Sequence, residues 1–467
     1  MKPRMNIPAR ARTPAVYILL VVLPLSLGLA VAFRSNALRS GHRAAPSVAT
    51  VLPGPGRLLL ALAAISLAAL VGGLLAKLLR QPMVVGQTVI GLALGPSLLG
   101  RIAPRAESWL FPAGLTQVLL LLGGVGAIFF VFVVGMDFSR TELRRSGVSI
   151  LLLGQGAMAI PFLAGALLAL GLAASGELPP GDGAAVRLFV ALSMSVTAVP
   201  VLASILRERG LDQTRDGALG IAASVVGDAT AWCLLAVTLA LAHSSSPLGA
   251  ALASCAVVLF AAAMWFGARP ALAALDHRPL VGPVRPALAL CVLLLAALVT
   301  DSLGIDAVIG AFIAGLILPR SEGYQTVNSM IDGLTEWLLL PLFFVSIGLQ
   351  VQLSMLSSPR DLVVCLGILA VAVTSKAGST LLVARLLRLG WHSSTLLAAM
   401  MNCRGVTELV VLNVGLSAGL LDRKLFTMLT VVSVLTTLMT GPVLDVIERT
   451  GLHMRALEPL PGHETVI

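Results

Sequence analysis

Charge is scarce in this chain of 467 residues: Asp, Glu, Lys and Arg together make up 12%. A soluble protein of this length carries roughly twice that fraction, so a soluble globular fold is excluded. Cysteine is sparse and poorly spaced. The five (Cys233, Cys255, Cys291, Cys365, Cys403) lie in apolar segments, no two within twenty residues. That spacing excludes a CxxC metal site and argues against a disulfide framework. The six histidines (His42, His243, His277, His392, His453, His463) fall in loops or at segment ends, which argues against a buried histidine relay. No nucleophile–base pair stands out either, so the chain is not read as an enzyme and no cofactor is expected. Lysine is nearly absent, at four against 28 arginines.

Hydrophobic residues are plentiful, at 57%, with a mean hydropathy of +0.97. Apolar runs of about 20 residues, the length of a bilayer-spanning helix, recur from residue 15 to residue 447. The fold class is therefore an all-α polytopic membrane protein. The net charge of +10 needs no nucleic-acid partner, because membrane proteins keep Lys and Arg in cytoplasmic loops. About fourteen spans are expected: 15–33, 57–79, 82–99, 114–136, 148–172, 187–207, 216–242, 247–268, 284–303, 305–319, 334–350, 361–386, 395–418 and 426–447. The first is read as a retained helix. A cleaved signal peptide is the alternative, since basic residues precede it and Ala30-Val31-Ala32 resembles a cleavage site.

Basic loops alternate with loops poor in Lys and Arg. Arg140, Arg144 and Arg145, then Arg207, Arg209 and Arg215, then Arg269 and Arg278, Arg320, and Arg385 and Arg388 fall on one side. The positive-inside rule makes that side cytoplasmic, with both termini inside if the first span is kept. The loop 34–56 (Arg34, Arg39, Arg43) then breaks the rule, which keeps the signal-peptide reading open. The domain reading is a basic segment, helix and loop over 1–56, a transmembrane domain over 57–447, and a short cytoplasmic tail over 448–467. "FVFVVGMD" (Phe130–Asp137) aligns with "FFVSIGLQ" (Phe343–Gln350), and "VIGLALGP" with "VIGAFIAGLILP". Seven spans separate each pair, and an odd number turns the second copy upside down. Inverted repeats of about 57–243 and 284–447, joined by a linker helix at 247–268, are a transporter pattern.

Few ionisable residues lie at mid-span, where each costs about 2.5–3.5 kcal/mol to insert. Asp228 is central in 216–242 and Lys376 in 361–386, neither with a partner nearby in sequence. Their natural partners are each other or an ion. A lysine, unlike an arginine, can give up its charge, and a carboxylate can exchange a proton for a cation. Asp228 is thus the expected site for a proton or a monovalent cation, with Lys376 tuning it. Arg404 and Glu408, four residues apart, are expected to share a helix face and neutralise each other. A stabilising pair between helices is as good a reading of them as cation binding.

Two segments look like broken helices. "ALSMSVTAVPVLASIL" (Ala191–Leu206) places Ser193, Ser195 and Thr197 before Pro200, and "MNCRGVTELVVLNVGL" (Met401–Leu416) carries Asn402, Gly405 and Thr407. Unwound backbone at mid-membrane depth exposes carbonyl oxygens and half-helix ends to an ion. Ser195, Thr197 and Asn402 are the expected neighbours of Asp228 in ion binding, and Pro200, Gly405 and Gly227 the expected helix breaks.

Together with "GDATAWCLLA", "IGAFIAGLILP" and "LPLFFVSIGL", these stretches resemble the monovalent cation:proton antiporter-2 family of the sodium/hydrogen exchanger superfamily, over about residues 57–447. The resemblance implies a sodium/proton-antiporter-like fold with two inverted repeats, crossed discontinuous helices and a dimerisation domain, hence a homodimer. It implies that Asp228 is the essential aspartate of the ion site, that Thr197 and Pro200 lie in one crossing helix and Asn402 to Glu408 in the other, and that Lys376 pairs with the aspartate. Electrogenic relatives carry two adjacent acids, where this chain has Gly227 before Asp228. One carboxylate favours one-for-one exchange and leaves Na+ against K+ open.

The expected function is therefore electroneutral exchange of H+ for Na+ or K+ by alternating access, in a cell membrane of bacterial inner-membrane type. An organic-solute exporter or symporter, or a cation channel, on the same scaffold is the alternative. Against a channel, no repeated acid ring or filter-like loop is visible.

Overall fold

Long apolar helices build the protein. The computed structural model describes residues 55–79, 81–137, 147–178, 183–242, 255–256, 258–276, 284–303, 306–319, 331 and 333–449, all within the compact unit Leu52–Ile467. The expected helix 15–33, most of the 34–56 loop and nearly all of the 448–467 tail lie outside the described residues. So do Arg140, Arg144, Arg145, Arg278 and Arg320 from the basic loops.

Among the described residues no strand is present. The helices are α1 (Pro55–Leu78), α2 (Met83–Leu94), α3 (Ala113–Asp137), α4 (Gly147–Ala174), α5 (Ala184–Ser195), α6 (Val199–Glu208), α7 (Arg215–Ala242), α8 (Val258–Leu275), α9 (Val284–Ser302), α10 (Ala307–Ile317), α11 (Leu340–Gln350), α12 (Pro359–Leu386), α13 (Trp391–Met401), α14 (Val406–Ser417) and α15 (Arg423–Arg449). Short helices Leu99–Ile102 and Pro104–Leu110 follow α2. Among the described residues eleven helical stretches are long and apolar enough to cross a bilayer, and two shorter ones, Ala307–Ile317 and Thr335–Gln350, accompany them. The chain is a multi-pass membrane protein. Near the expected 247–268 linker the helix continues to Leu275.

Local signals set the helix ends. Ser358 and Asp361 form a reciprocal capping box at the start of α12, with Pro359 in its first turn. Asp306 accepts the amide of Val308 to start α10.

The helices pack in two groups. One holds α1, α2, α3, α9, α10 and α11; the other holds α4, α5, α6, α7, α12, α13, α14 and α15. Close backbone approach holds the first group together: a Cβ at Gly348 of α11 would sit 2.0 Å from the Gly91 carbonyl of α2, so only glycine fits there. Between the groups, α15 runs against α2, and Trp232 of α7 stacks on Phe312 of α10 with ring centroids 5.7 Å apart.

Leucines on the outside face lipid. Leu163, Leu167 and Leu170 of α4 are each more than half exposed, as expected where the solvent is hydrocarbon. The two broken helices are the opposite case. In 391–417, 94% of the most apolar stretch is buried, against 28% in α12, and Arg404 and Glu408 within it are fully buried, with no route to water by side-chain reach.

Candidate functional site

Both helices that the sequence marks as broken are broken. Residues 196–198 separate α5 from α6, and 402–405 separate α13 from α14. Pro200 sits in the first turn of α6, where its missing amide leaves no hydrogen bond unmade. Gly405 precedes α14, and a Cβ there would lie 2.6 Å from Cγ2 of Val201. The two breaks therefore touch. The Ala198 amide donates to the Cys403 carbonyl at 3.2 Å, and Thr197 Oγ1 donates to the Met401 carbonyl at 3.4 Å.

Each break leaves helix ends in the interior, with unpaired carbonyls at one end and unpaired amides at the other. The carbonyl end of α5 is met by cations. Lys376 Nζ donates to the Ser195 carbonyl, and Arg404 donates to the carbonyls of Ser193 (2.6 Å) and Met194. Positive charge at a helix C-terminus is favourable, and these contacts satisfy buried acceptors that water cannot reach. Ser195 thus serves Lys376 through its backbone, while its hydroxyl donates to Leu192.

Arg404 also pairs with Glu408 at 2.6 Å, both side chains fully buried. The pair differs from the expected arrangement on one helix face. Arg404 lies in the break itself, and only Glu408 is helical, in the first turn of α14. Instead of joining two helices by an ion pair alone, Arg404 bridges Glu408 to the end of α5.

Asp228 stands midway along α7, 2% exposed. It faces the Val199 amide at the start of α6 without the geometry of a hydrogen bond, and neither carboxylate oxygen has a hydrogen-bond partner. Lys376 is within electrostatic reach of Asp228, Arg404 and Glu408, yet among the described residues no contact ion pair joins it to Asp228. The expected direct pairing is replaced by action through space. Asn402, 7% exposed, also keeps an unpartnered Oδ1.

One expectation is overturned. Gly227 breaks nothing: α7 is continuous from Arg215 to Ala242. A Cβ at Gly227 would meet only the Gly154 carbonyl, at 4.0 Å, so this position is open space beside an intact helix.

The sequence reading missed a polar stripe on α15. Thr430, Ser433, Thr437 and Thr440 are all buried, and Thr437 donates to the Arg404 carbonyl. Ser433 faces Glu408. Their spacing of three, four and three residues places them on one helix face, and that was the available signal. Among the described residues no group of three His, Cys, Asp or Glu side chains could hold a metal ion.

Residues 65–447 match the family described as "Sodium/hydrogen exchanger, transmembrane". The chain belongs to the sodium/hydrogen exchanger family. It is similar to the Na(+)/H(+) antiporter NhaS4 of Synechocystis sp., 33% identical over 385 residues, covering 81% of this chain and 94% of that protein. It is also similar to the K(+)/H(+) antiporter 1 of Saccharomyces cerevisiae, 30% identical over 385 residues. That match covers 79% of this chain but 44% of the yeast protein, so the chain spans under half that relative's length. The solved sodium proton antiporter MjNhaP1 of Methanocaldococcus jannaschii shares the fold, with a TM-score of 0.57 at 19% identity over 85% of this chain and 98% of that one. These exchanger relatives are transporters, and the family is not one of enzymes.

Proposed function

We propose that this exchanger-family chain moves protons and a monovalent cation, Na+ or K+, in opposite directions across a cell membrane. Asp228 is the group that holds either one. The observation that carries the reading is the state of its carboxylate: buried, without a hydrogen-bond partner, and beside the amide end of α6. A carboxylate so placed gains by taking up a positive charge, and a proton and a monovalent cation are alternatives for it. Asn402 Oδ1, Thr197 and the carbonyls of the breaks supply neutral oxygens to replace a cation's water.

Lys376 and Arg404 keep that exchange simple. With Arg404 balanced by Glu408 and Lys376 held on the Ser195 carbonyl, Asp228 is the carboxylate left to change occupancy. One proton for one cation moves no net charge. Packing of the helices in two groups suits alternating access, one group shifting against the other with the site carried along. The end bearing Arg207, Arg209 and Arg215 faces the cytoplasm in this reading.

Purified protein in liposomes containing a pH-sensitive dye tests it. Pulses of Na+, K+ or Li+ should each be scored for proton release, and at least one should release protons. No response to any of the three would sink the antiport reading.

A further inference from the structure

The seam between the two helix groups differs at its two ends. At one end it is closed by side-chain and backbone hydrogen bonds. Gln350, the last residue of α11, donates from Nε2 to Asn413 Oδ1 of α14 at 3.0 Å. Two residues on, the Gln352 amide donates to Thr427 Oγ1 of α15 at 3.2 Å. Both bonds run from the first group to the second.

The turn that carries them is fixed to its own group. Ser97, just beyond α2, donates to the Val351 carbonyl at 2.7 Å and accepts from the Leu353 amide at 3.0 Å. Gln350 also holds the Ser346 carbonyl within α11. The donors are therefore pre-positioned by their own group, and a movement of the second group away from this turn must break the contacts at Asn413 and Thr427.

At the other end the seam opens. Among the described residues one hydrogen bond crosses the seam here, from Gln81 Nε2 to the Leu438 carbonyl at 3.4 Å, and a cavity of about 360 Å³ lies at this end. Lys77 and Pro82 of the first group line one side, and Ile205, Glu208, Arg209, Gly441 and Asp445 of the second line the other. Thr427 and Gly441 are fourteen residues apart on α15, roughly 21 Å along the helix at about 1.5 Å per residue. One conformation thus pairs an end bridged by hydrogen bonds with an end that holds a cavity, and the cavity end bears the arginines at 207, 209 and 215.

We propose that the Gln350–Asn413 hydrogen bond is a latch between the two helix groups, closed in this conformation and broken in each transport cycle. It rests on the alternating-access reading, and its residues lie apart from the ion site. A single uncharged hydrogen bond suits this role. It contributes about 1 kcal/mol net, enough to bias a two-state equilibrium about fivefold without locking it.

Thr427 reports the state of the latch, because it is fully buried beside it. The reference is the full chain carrying Thr427→Cys, which gives up the Gln352 contact and so leaves Gln350–Asn413 as the bond under test. In lipid nanodiscs it is treated with a water-soluble maleimide, and modification of the residue-427 peptide is timed by mass spectrometry. Gln350→Ala and Asn413→Ala should each raise that rate about fivefold. The double variant should match the singles, since both remove one bond. Unchanged rates, or two effects that add in full, would overturn the latch.

A second measurement uses Gln350→Cys with Asn413→Cys in proteoliposomes. The native side chains are too long for a direct disulfide in their place, so a short bis-methanethiosulfonate bridges them. Exchange should stop on linking and return on adding a thiol. Full exchange by the linked protein overturns the latch. Absence of exchange in the unmodified protein would instead sink the antiport reading, and the labelling result would still stand.

Discussion

The Ala198 amide donates to the Cys403 carbonyl at 3.2 Å, so the two broken helices are hydrogen-bonded to each other at their breaks. This contact joins residues about two hundred positions apart and makes the breaks one unit. Every charge at the centre of the protein is referred to that unit: Lys376 and Arg404 bind the end of α5, Glu408 starts α14, and Asp228 faces the start of α6.

Arg404 is expected to be the stability keystone. Arg404→Ala leaves Glu408 and two carbonyls buried without their cation. Removing one partner of a buried pair costs about 3–5 kcal/mol. A thermal melt in detergent should show a fall larger than that of any other single replacement at these four charges. Arg404→Lys should recover little of it, because an ammonium cannot reach Glu408 and two carbonyls in a planar fork. An unshifted melt would mean that the network is ornamental.

Gly405 should tolerate no side chain while Val201 is present. Gly405→Ala places a Cβ 2.6 Å from Val201 Cγ2, and such overpacking costs about 1–3 kcal/mol. Val201→Ala in the same chain should restore both melting temperature and exchange. Without that rescue, some other constraint on the backbone at 405 is at work.

Lys376 should tune exchange without being indispensable. Lys376→Ala removes a cation within reach of Asp228 and should lower the KM for the transported cation about fivefold, equivalent to about 1 kcal/mol of relieved repulsion. Lys376→Arg keeps a charge that cannot be given up and should slow turnover more than it changes KM. The two KM–kcat pairs, measured by dye response, check both statements.

Stoichiometry gives two linked expectations. If one proton competes with one cation at Asp228, the apparent KM should rise as pH falls, by at most about tenfold per pH unit. An imposed membrane potential should leave the rate unchanged, since it acts on net charge at about 2.3 kcal/mol per elementary charge per 100 mV. The potential is set by K+ and valinomycin, with Na+ as the test cation. A steeper KM slope or a voltage-dependent end point would show a second titrating group.

Much of this arrangement was readable in the sequence, because charges and helix breakers are conspicuous in an apolar chain. Asp228, Lys376 and the pairing of Arg404 with Glu408 stood out as expensive residues, and Pro200 and Gly405 marked the breaks. What could not be read was long-range. That Lys376 and Arg404 both turn to the carbonyl end of α5, across 181 and about 210 residues, depends on how the helices pack. Gly227 misled because glycine in a membrane helix serves packing as often as breaking. The α15 stripe escaped notice because Thr and Ser can satisfy themselves on their own helix, as Thr440 does on Thr436.

The central claim is that Asp228 holds the exchanged ion, and Asp228→Asn tests it most directly. Asparagine keeps the shape and cannot titrate, so the protein should fold and melt close to the unmodified chain. In dye-loaded liposomes, it should show no proton movement on pulses of Na+, K+ or Li+. A folded Asp228→Asn protein that exchanges at the unmodified rate would contradict the account.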